Sequence, residues 1–346
     1  MQKFFYNTCY LIFFILFSCG GDDNGNENET SSDKIISLAI SSSLSKAVLG
    51  ETIFFSALDN TGKVRTYDAK FFVNNNEISG NTHLFDVIGS HEVYATYQNL
   101  TSPKVEIVIT PVPIEFKKRV LVEDYTGTWC GWCPRISYAI EKLEEQTDDA
   151  VIVAAHQGDP MQFSQITALM NAFGVTGFPT GIINRSGSWS YPQPNNIGQV
   201  TAQLFEPANV GLAINSSING DDLSINIKAK IGSNYSSLKL AVYVVEDKLI
   251  YDQQNYTSYY GGGSVLENFN HHNVLRESLT NILGDQIPTA SLVYGKVFEK
   301  DFSYKVPNNY NKSNIKIVSF VTTGESTQAI NVRGANVGDQ QSIEQN

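Results

Sequence analysis

The 346-residue sequence predicts an α/β domain between two all-β sandwich domains. Residues 34–112 and 208–346 consist of short runs in which apolar and polar residues alternate, separated by turn-forming residues, and this pattern is typical of β-strands. Residues 113–207 instead combine apolar runs with stretches of helical period, which indicates helices packed on a sheet. Because 42% of the residues are hydrophobic, the chain can form packed cores in all three regions.

The first 33 residues have the composition of an export signal followed by a tether. Residues 1–18 carry one positive charge, Lys3, and the apolar run "YLIFFILF", which is too short to span a bilayer and is typical of a secretory signal peptide. Residues 19–33 include "GGDDNGNENETSSD", which has no large apolar residue and is expected to be a flexible acidic tether.

The junction "LFSC" resembles a lipobox, and this resemblance implies that Cys19 is lipidated and anchors the chain to a membrane. The acidic start of the tether resembles that of surface-exported lipoproteins of the Bacteroidota. A signal peptide cut at another position is the alternative.

The charge balance argues against a nucleic-acid partner. The formal net charge is −11, and it becomes −12 when Lys3 leaves with the signal peptide. No basic stripe is present to contact a phosphate backbone. We expect no cofactor, since no binding motif for one is recognised.

Each β region is expected to form a sandwich. In residues 34–112, strands are predicted from runs such as "ETIFFSAL" and "KVEIVIT", with turns such as "DNTG", and the spacing favours an immunoglobulin-like sandwich. In residues 208–346, runs such as "SLKLAVYVVED" and "NIKIVSFVTT" predict a second sandwich. A Tyr- and Gly-rich stretch, residues 250–279, interrupts these runs and is expected to be a long loop, with His271 and His272 on a surface turn.

The middle region has the element order βαβαββα. Its strands are predicted from "RVLVED", "AVIVAAH", "TGIIN" and "GSWSY", and its helices from "PRISYAIEKLEEQ", "FSQITALMNAFG" and "NNIGQVTAQLF". His156 ends the second strand and is interpreted as an ordinary strand-end residue.

The segment "TGTWCGWCP" contains two of the four cysteines, Cys130 and Cys133. Cys9 belongs to the signal peptide and Cys19 to the lipid anchor, so only this pair is left for chemistry or cross-linking. A zinc site needs about four ligands, usually a second cysteine pair or a histidine pair, and the five histidines are scattered over three regions, so we expect no metal.

Redox chemistry fits the position of the pair between a buried strand and a helix. Cys130 at the helix N-terminus would have a stabilised thiolate and act as nucleophile. Cys133, one helical turn in, would be shielded and would resolve the mixed disulfide. In an oxidising, exported setting the pair is expected to form a disulfide. A purely structural disulfide stays open as an alternative.

Two segments, "EDYTGTWCGWC" and "GVTGFPTGI", resemble the thioredoxin fold. The resemblance implies that Asp124 is the buried acid that handles the proton of the resolving thiol. Glu123 competes for this role, because a one-residue slip exchanges the faces of a strand. It also implies a cis peptide bond before Pro179 and a substrate-binding edge formed by Phe178 and Pro179, with Trp132 adding aromatic bulk.

Together with "NHHNVLRESL", the motif "YTGTWCGWCP" resembles the Omp28-related outer membrane proteins of the Bacteroidota over about residues 116–338. This resemblance implies an outer membrane lipoprotein of the cell envelope. It says little about activity.

Two functions follow as hypotheses. The first is a membrane-anchored thiol–disulfide oxidoreductase that acts on exported protein thiols or disulfides, with Cys130, Cys133 and Asp124 as its catalytic residues. The sequence leaves its redox direction open, since the Gly131-Trp132 dipeptide has no histidine to favour an oxidant. The second is a non-catalytic surface binding or adhesion protein with a surface ligand, in which the disulfide is structural.

Overall fold

The computed structural model describes residues 34–346, which divide into one unit ending at Thr110 and another from Pro111 to Asn346. The signal peptide, the tether and Cys19 lie outside the described residues. Within residues 34–346, no helix is long and apolar enough to cross a membrane.

The first unit consists of two β-sheets that share one core. The β1-β3-β6 sheet and the β2-β9-β7-β4-β5 sheet, with β8 on β7, both send large apolar side chains inward, including Phe55, Phe71 and Ile107. The bounds of its strands are β1 Leu38–Ser42, β2 Lys46–Val48, β3 Thr52–Asp59, β4 Lys70–Val73, β5 Asn76–Ile78, β6 Thr82–Leu84, β7 Gly89–Tyr97, β8 Leu100–Thr101 and β9 Val105–Thr110. Its immunoglobulin-like character stays a prediction.

The second unit begins with the element order βαβαββα that the sequence predicts. The bounds are β10 Val120–Thr126, α1 Pro134–Glu144, β11 Ala150–His156, α2 Ile166–Phe173, β12 Thr180–Ile183, β13 Gly187–Ser188 and α3 Ile197–Thr201. Strand β10 is buried along its whole length, because it lies between parallel β11 and antiparallel β12 and is covered on both faces.

The C-terminal region contributes ten further strands. They are β14 Val210–Asn219, β15 Asp222–Ile231, β16 Leu238–Glu246, β17 Leu249–Gln254, β18 Val265–His271, β19 Val274–Ser278, β20 Asp285–Gln286, β21 Val297–Lys305, β22 Ile315–Thr323 and β23 Ala329–Asn336.

A nine-stranded sheet joins the α/β region to the C-terminal strands. Its order is β13-β12-β10-β11-β19-β16-β22-β23, with β20 on β16, and the junction is the parallel pair Ala154 and Val274 of β11 and β19. The sequence predicts two separate layers for the C-terminal sandwich. In the structure one layer is the three-stranded β14-β15-β21 sheet, and β16, β22 and β23 of the shared sheet supply the other.

The shared sheet is buried on both faces at β16. One face of this strand, with Leu240 and Val242, packs into the core of the β14-β15-β21 layer, while Tyr243 and Val245 pack with residues of α2 and β10. This explains the continuous apolar run of β16, which does not show the alternation of a half-exposed strand.

The Tyr-rich stretch is not the loop that the sequence predicts. Strands β17 and β18 pair antiparallel, and we call residues 249–271 the cap hairpin. The prediction fails because exposed polar and tyrosine residues hide the alternation of the two strands. The end of the hairpin leads directly into β19, so its position is set by the shared sheet.

Candidate active site

The two cysteines lie in consecutive backbone turns between β10 and α1. The amide of Cys130 donates to the carbonyl of Gly127 (3.0 Å), and the amide of Cys133 donates to the carbonyl of Cys130 (3.1 Å). Helix α1 then begins at Pro134, where the missing N–H costs no hydrogen bond. The sequence predicts Cys133 one turn inside the helix, whereas the structure places it as the residue that precedes Pro134 and places Cys130 one turn earlier.

The sulfurs of Cys130 and Cys133 form a disulfide, and both residues are buried, with 5% and 1% of their surfaces exposed. The neighbouring Trp129 and Trp132 are about half exposed, at 48% and 53%. The ring of Trp129 meets Phe178 edge-on with 5.5 Å between the ring centroids. The motif therefore presents an aromatic rim around a covered disulfide.

The proline segment follows the sequence prediction. The peptide bond between Phe178 and Pro179 is cis, and both residues are partly exposed. Within the described residues, the backbone N–H and C=O of Phe178 make no hydrogen bond. This edge can therefore pair with an extended polypeptide.

The cap hairpin is bonded directly to the cysteine turns. The amide of Gln254 donates to the carbonyl of Thr128 (2.8 Å), and the amide of Tyr256 donates to the carbonyl of Gly131 (2.7 Å). These two backbone bonds place one edge of the hairpin along the segment that contains the first cysteine.

Gln253 adds a side-chain bond to each turn. It is 3% exposed, and its Nε2 lies 3.3 Å from the carbonyl oxygen of Gly127 and 3.0 Å from that of Cys130. A buried side-chain amide that donates to both carbonyls restrains the path of the chain around Cys130.

Tyr256 covers Gly131, the first residue of the Gly-Trp dipeptide. A Cβ atom at Gly131 would overlap the Tyr256 ring, and this ring also meets Trp132 edge-on with 5.9 Å between centroids. Beyond it, the Tyr260 hydroxyl donates to a carboxylate oxygen of Glu141 on α1 (2.8 Å). The C-terminal region thus covers both the motif and the helix that follows it.

Asp124 is the buried acid beside this motif. It is 3% exposed, and its Oδ1 has no hydrogen-bond partner among residues 34–346. Burial raises its pKa to about 8, and the positive charge of Arg135 opposes this shift. At pH 7 the carboxyl is therefore mostly protonated and can donate a proton.

Glu123, the competing candidate, faces the other side of the sheet. Its carboxylate accepts from the guanidinium of Arg185 (2.7 Å), which in turn donates to the Tyr243 hydroxyl (2.6 Å). A fully paired carboxylate of this kind is structural, so the strand register assigns the unpaired acid to Asp124.

A cavity of about 50 Å³ lies beside Asp124 and is lined by α1, β11 and the end of the cap hairpin. His156 borders it, and its Nδ1 is bonded to a carboxylate oxygen of Asp159 (2.7 Å). His271 also borders the cavity and is only 6% exposed. The prediction of a surface turn is therefore wrong for His271, whereas His272 is exposed.

Among residues 34–346, no group of three or more His, Cys, Asp or Glu side chains is arranged to hold a metal ion.

The structure joins Cys130 to Cys133, and Trp129, the residue before Cys130, contacts Phe178 of the cis-proline segment. Asp124 is buried in β10, the strand that leads to the cysteine turns, and the roles of these residues stay predictions. The cap hairpin adds Gln253 and Tyr256, to which the sequence analysis gives no role, and the buried His271, which it places on a surface turn. A buried glutamine has no sequence signal that separates it from an exposed one.

The fold and the dithiol site define a protein with a thioredoxin-like domain. Residues 113–206 match the thioredoxin family, and residues 166–341 match the family described as outer membrane protein Omp28. The second match covers more than half of the chain, so the chain belongs to the Omp28 family. It is accordingly an outer membrane lipoprotein of the cell envelope.

One solved structure supports this fold. HBP35 of Porphyromonas gingivalis is similar with a TM-score of 0.54 and 19% identity, over 67% of this chain and 79% of that one. A domain of the outer membrane lipoprotein Omp28 from Porphyromonas gingivalis matches with a TM-score of 0.27 and 18% identity, over 39% of this chain and 92% of that one. No curated protein matches the chain.

The contact between Gly131 and Tyr256 can be tested with a double-mutant cycle. The backbone of Gly131 lies outside the left-handed region, so Gly131→Ala adds no strain of that kind, and the three atoms nearest the new Cβ all belong to the Tyr256 ring. We expect it to lower the free energy of unfolding by about 1–3 kcal/mol, as overpacking does. In a Tyr256→Ala background, Gly131→Ala should leave the free energy of unfolding almost unchanged.

The measurement is urea unfolding followed by tryptophan fluorescence. All three tryptophans, Trp129, Trp132 and Trp189, belong to the second unit, so the signal reports this unit alone. Both single variants should also speed reduction of the disulfide by dithiothreitol, because the cover is displaced. Equal costs of Gly131→Ala in the two backgrounds would show that the hairpin does not press on the motif.

Asp124 should make the protein less stable as the pH rises. Its folded-state pKa of about 8 exceeds the ordinary value of 3.8, so the unfolded chain loses this proton first. The resulting penalty is absent below about pH 4, grows by up to about 1.4 kcal/mol per pH unit, and levels off above about pH 8. Asp124→Asn should therefore stabilise the second unit at pH 7 by several kcal/mol, about 4 at most.

The check is tryptophan-detected urea unfolding at a series of pH values. The exposed Asp148→Asn serves as the matched control, since it makes the same chemical change outside the site. If Asp124→Asn unfolds with the pH dependence of the wild type, the buried carboxyl is not protonated in the folded protein.

Proposed function

We propose that the protein is a membrane-anchored thiol–disulfide oxidoreductase that acts on exported proteins. The observation that supports this most is Asp124, a buried carboxyl that has no side-chain partner for its Oδ1 within the described chain and lies in the strand that leads to the disulfide. An unpaired buried acid costs stability, and such costs are kept mainly at functional sites. A structural disulfide would need no acid beside it.

The chemistry is an exchange of two electrons between the protein and a substrate. In the disulfide form, a substrate thiolate attacks the Sγ of Cys130, the bond between the two cysteines breaks, and its electron pair leaves on the Sγ of Cys133. The protonated Asp124 supplies the proton that this leaving sulfur takes up. A second substrate thiolate then attacks the mixed disulfide, which leaves the substrate oxidised and Cys130 and Cys133 reduced.

The reverse sequence reduces a substrate disulfide. The Cys130 thiolate attacks, Cys133 gives its proton to the Asp124 carboxylate and attacks the mixed disulfide, and the substrate leaves as a dithiol. A dithiol donor in the envelope would then have to restore the reduced protein. Both directions use the same three residues.

The edge beside Phe178 is the place for substrate. Its free backbone groups suit an extended segment, and the half-exposed Trp129 and Trp132 offer apolar contact on either side of Cys130. The cap hairpin covers the opposite side, through Tyr256 and Gln253. We therefore expect extended or unfolded substrates to react faster than folded proteins.

The anchor and location belong to the same proposal. The lipobox at Cys19 would attach the chain to the outer membrane by its tether, and the acidic tether favours exposure at the cell surface. Substrates would then be exported proteins outside the cytoplasm.

The second candidate, a surface binding or adhesion protein with a structural disulfide, is favoured by the cap hairpin. It holds Cys130 at 5% exposure, and its bonds to Thr128 and Gly131 would have to loosen for a bulky substrate to reach the sulfur. On this view the aromatic rim would be the ligand-binding surface.

Single cysteine variants separate the two functions. The reduced Cys133→Ala variant should accumulate a mixed disulfide with an unfolded, disulfide-containing substrate such as denatured ribonuclease, because Cys130 attacks and no thiol is left to resolve the product. Cys130→Ala should trap at least about tenfold less, since Cys133 is covered. Mass spectrometry of acid-quenched samples counts the adducts.

Equal trapping by the two variants would contradict the assigned roles of the cysteines. No trapping by either, with full trapping by free cysteine under the same conditions, would favour the structural disulfide.

A further inference from the structure

The cavity beside Asp124 is built from both the thioredoxin-like region and the cap hairpin. Thr126 of β10, Ser137 of α1 and His156 of β11 border it, and so does His271 at the end of β18. Ser137 stands four residues after Cys133, so the cavity borders the side of α1 that follows from this cysteine. Its volume of about 50 Å³ exceeds the roughly 10–15 Å³ that holds one water.

Two unpaired polar atoms belong to residues that line this cavity. Within residues 34–346, neither Oδ1 of Asp124 nor Nε2 of His271 has a hydrogen-bond partner. Buried polar atoms in folded proteins are nearly always bonded to protein or to ordered water. A cavity lined by two residues with such atoms, and large enough for a water, is the kind of place where a bridging water is expected.

The ring of His271 is suited to accept a hydrogen bond from this water. Burial lowers its pKa to about 4, so the ring is neutral at pH 7. In the tautomer that carries the proton on Nδ1, the unpaired Nε2 is a hydrogen-bond acceptor.

We propose that His271 is a positioning residue for the thiol–disulfide exchange: it holds a cavity water that bonds to Asp124 and carries the proton of this acid to and from solvent. The inference rests on the proposed function and adds a residue of the C-terminal region to its machinery. When Cys133 gives its proton to the Asp124 carboxylate, that proton leaves by the water. When Asp124 protonates the Cys133 thiolate, a proton returns by the same path.

The water also stabilises the ionised form of Asp124. One of its hydrogens bonds to Nε2 of His271, and the other is free to bond to the carboxylate. Without the ring acceptor the water is held less firmly, so the carboxylate loses a partner and its pKa rises.

Other charged groups surround the cavity and must be kept constant in a test. Its outer end reaches exposed residues of α1 and the cap hairpin, which give the proton its way to solvent. The charged or titratable groups that face the two residues are Arg135, Glu141 and Glu144 of α1, His156 with Asp159 behind β11, and Tyr260 and His272 of the hairpin and its exit.

The test is the pH dependence of the resolving step in the full mature protein. Reduced protein is mixed with excess glutathione disulfide between about pH 6 and pH 9, and closure of the Cys130–Cys133 disulfide is followed by tryptophan fluorescence. The wild-type rate should rise with the ionisation of Asp124, with a midpoint near its pKa of about 8. His271→Leu should move the midpoint up by about one pH unit and slow closure about tenfold at pH 7.

Two further variants separate positioning from mere structural support. His271→Gln keeps a polar group that can hold the water and should stay within about twofold of the wild type. Asp124→Asn should lose the midpoint, and adding His271→Leu to it should have no further effect, because His271 acts through Asp124. The proposal is wrong if His271→Leu keeps the pH midpoint of the wild type. It is also wrong if His271→Leu slows disulfide closure as much in the Asp124→Asn background as in the wild type.

The ionisation of Asp124 in the oxidised protein provides a readout that does not depend on activity. The infrared band of the protonated carboxyl, identified by its loss in Asp124→Asn, should disappear at higher pH in His271→Leu than in the wild type. If the wild type does not react with glutathione disulfide but this shift is found, the proposed function fails and the coupling between His271 and Asp124 holds. An unshifted band would overturn the coupling itself.

Discussion

The site depends on the hydrogen bonds that join the cap hairpin to the cysteine turns. Gln254 and Tyr256 donate from the backbone, and Gln253 donates from its side chain to the turns that contain Cys130. The hairpin can reach them because the thioredoxin-like strands and the C-terminal strands form one sheet, joined at β11 and β19. The C-terminal region is therefore part of the disulfide site, and the thioredoxin-like region alone lacks the residues that cover the first cysteine.

The cap hairpin and Asp124 would have opposite effects on the reactivity of the disulfide. The hairpin restrains the turns and limits access to Cys130, which favours selectivity over speed. In the proposed function Asp124 works in the other direction, since a protonated acid that supplies a proton to the Cys133 sulfur eases the departure of this thiolate. A site with both features would exchange slowly with compact partners and readily with extended ones.

The sequence predicted the parts of this site that depend on local pattern. The order of strands and helices, the pairing of Cys130 with Cys133, and the position of Pro179 all follow from spacing and from resemblance to a known fold. It could not predict the partners of β11, because apolar periodicity identifies a buried strand and not its neighbour. For the same reason the roles of Gln253, Tyr256 and His271 were missed, since long-range packing alone decides that they are at the site.

The reduction potential of the Cys130–Cys133 disulfide tests this account most directly. The mature protein is equilibrated with thiol–disulfide buffers at pH 7, and the fraction of free cysteine is measured by alkylation and mass spectrometry. We expect a midpoint above about −300 mV, within reach of envelope thiols and disulfides. A midpoint well below that value would mean that the bond stays closed under physiological conditions, and the disulfide would then be a structural element.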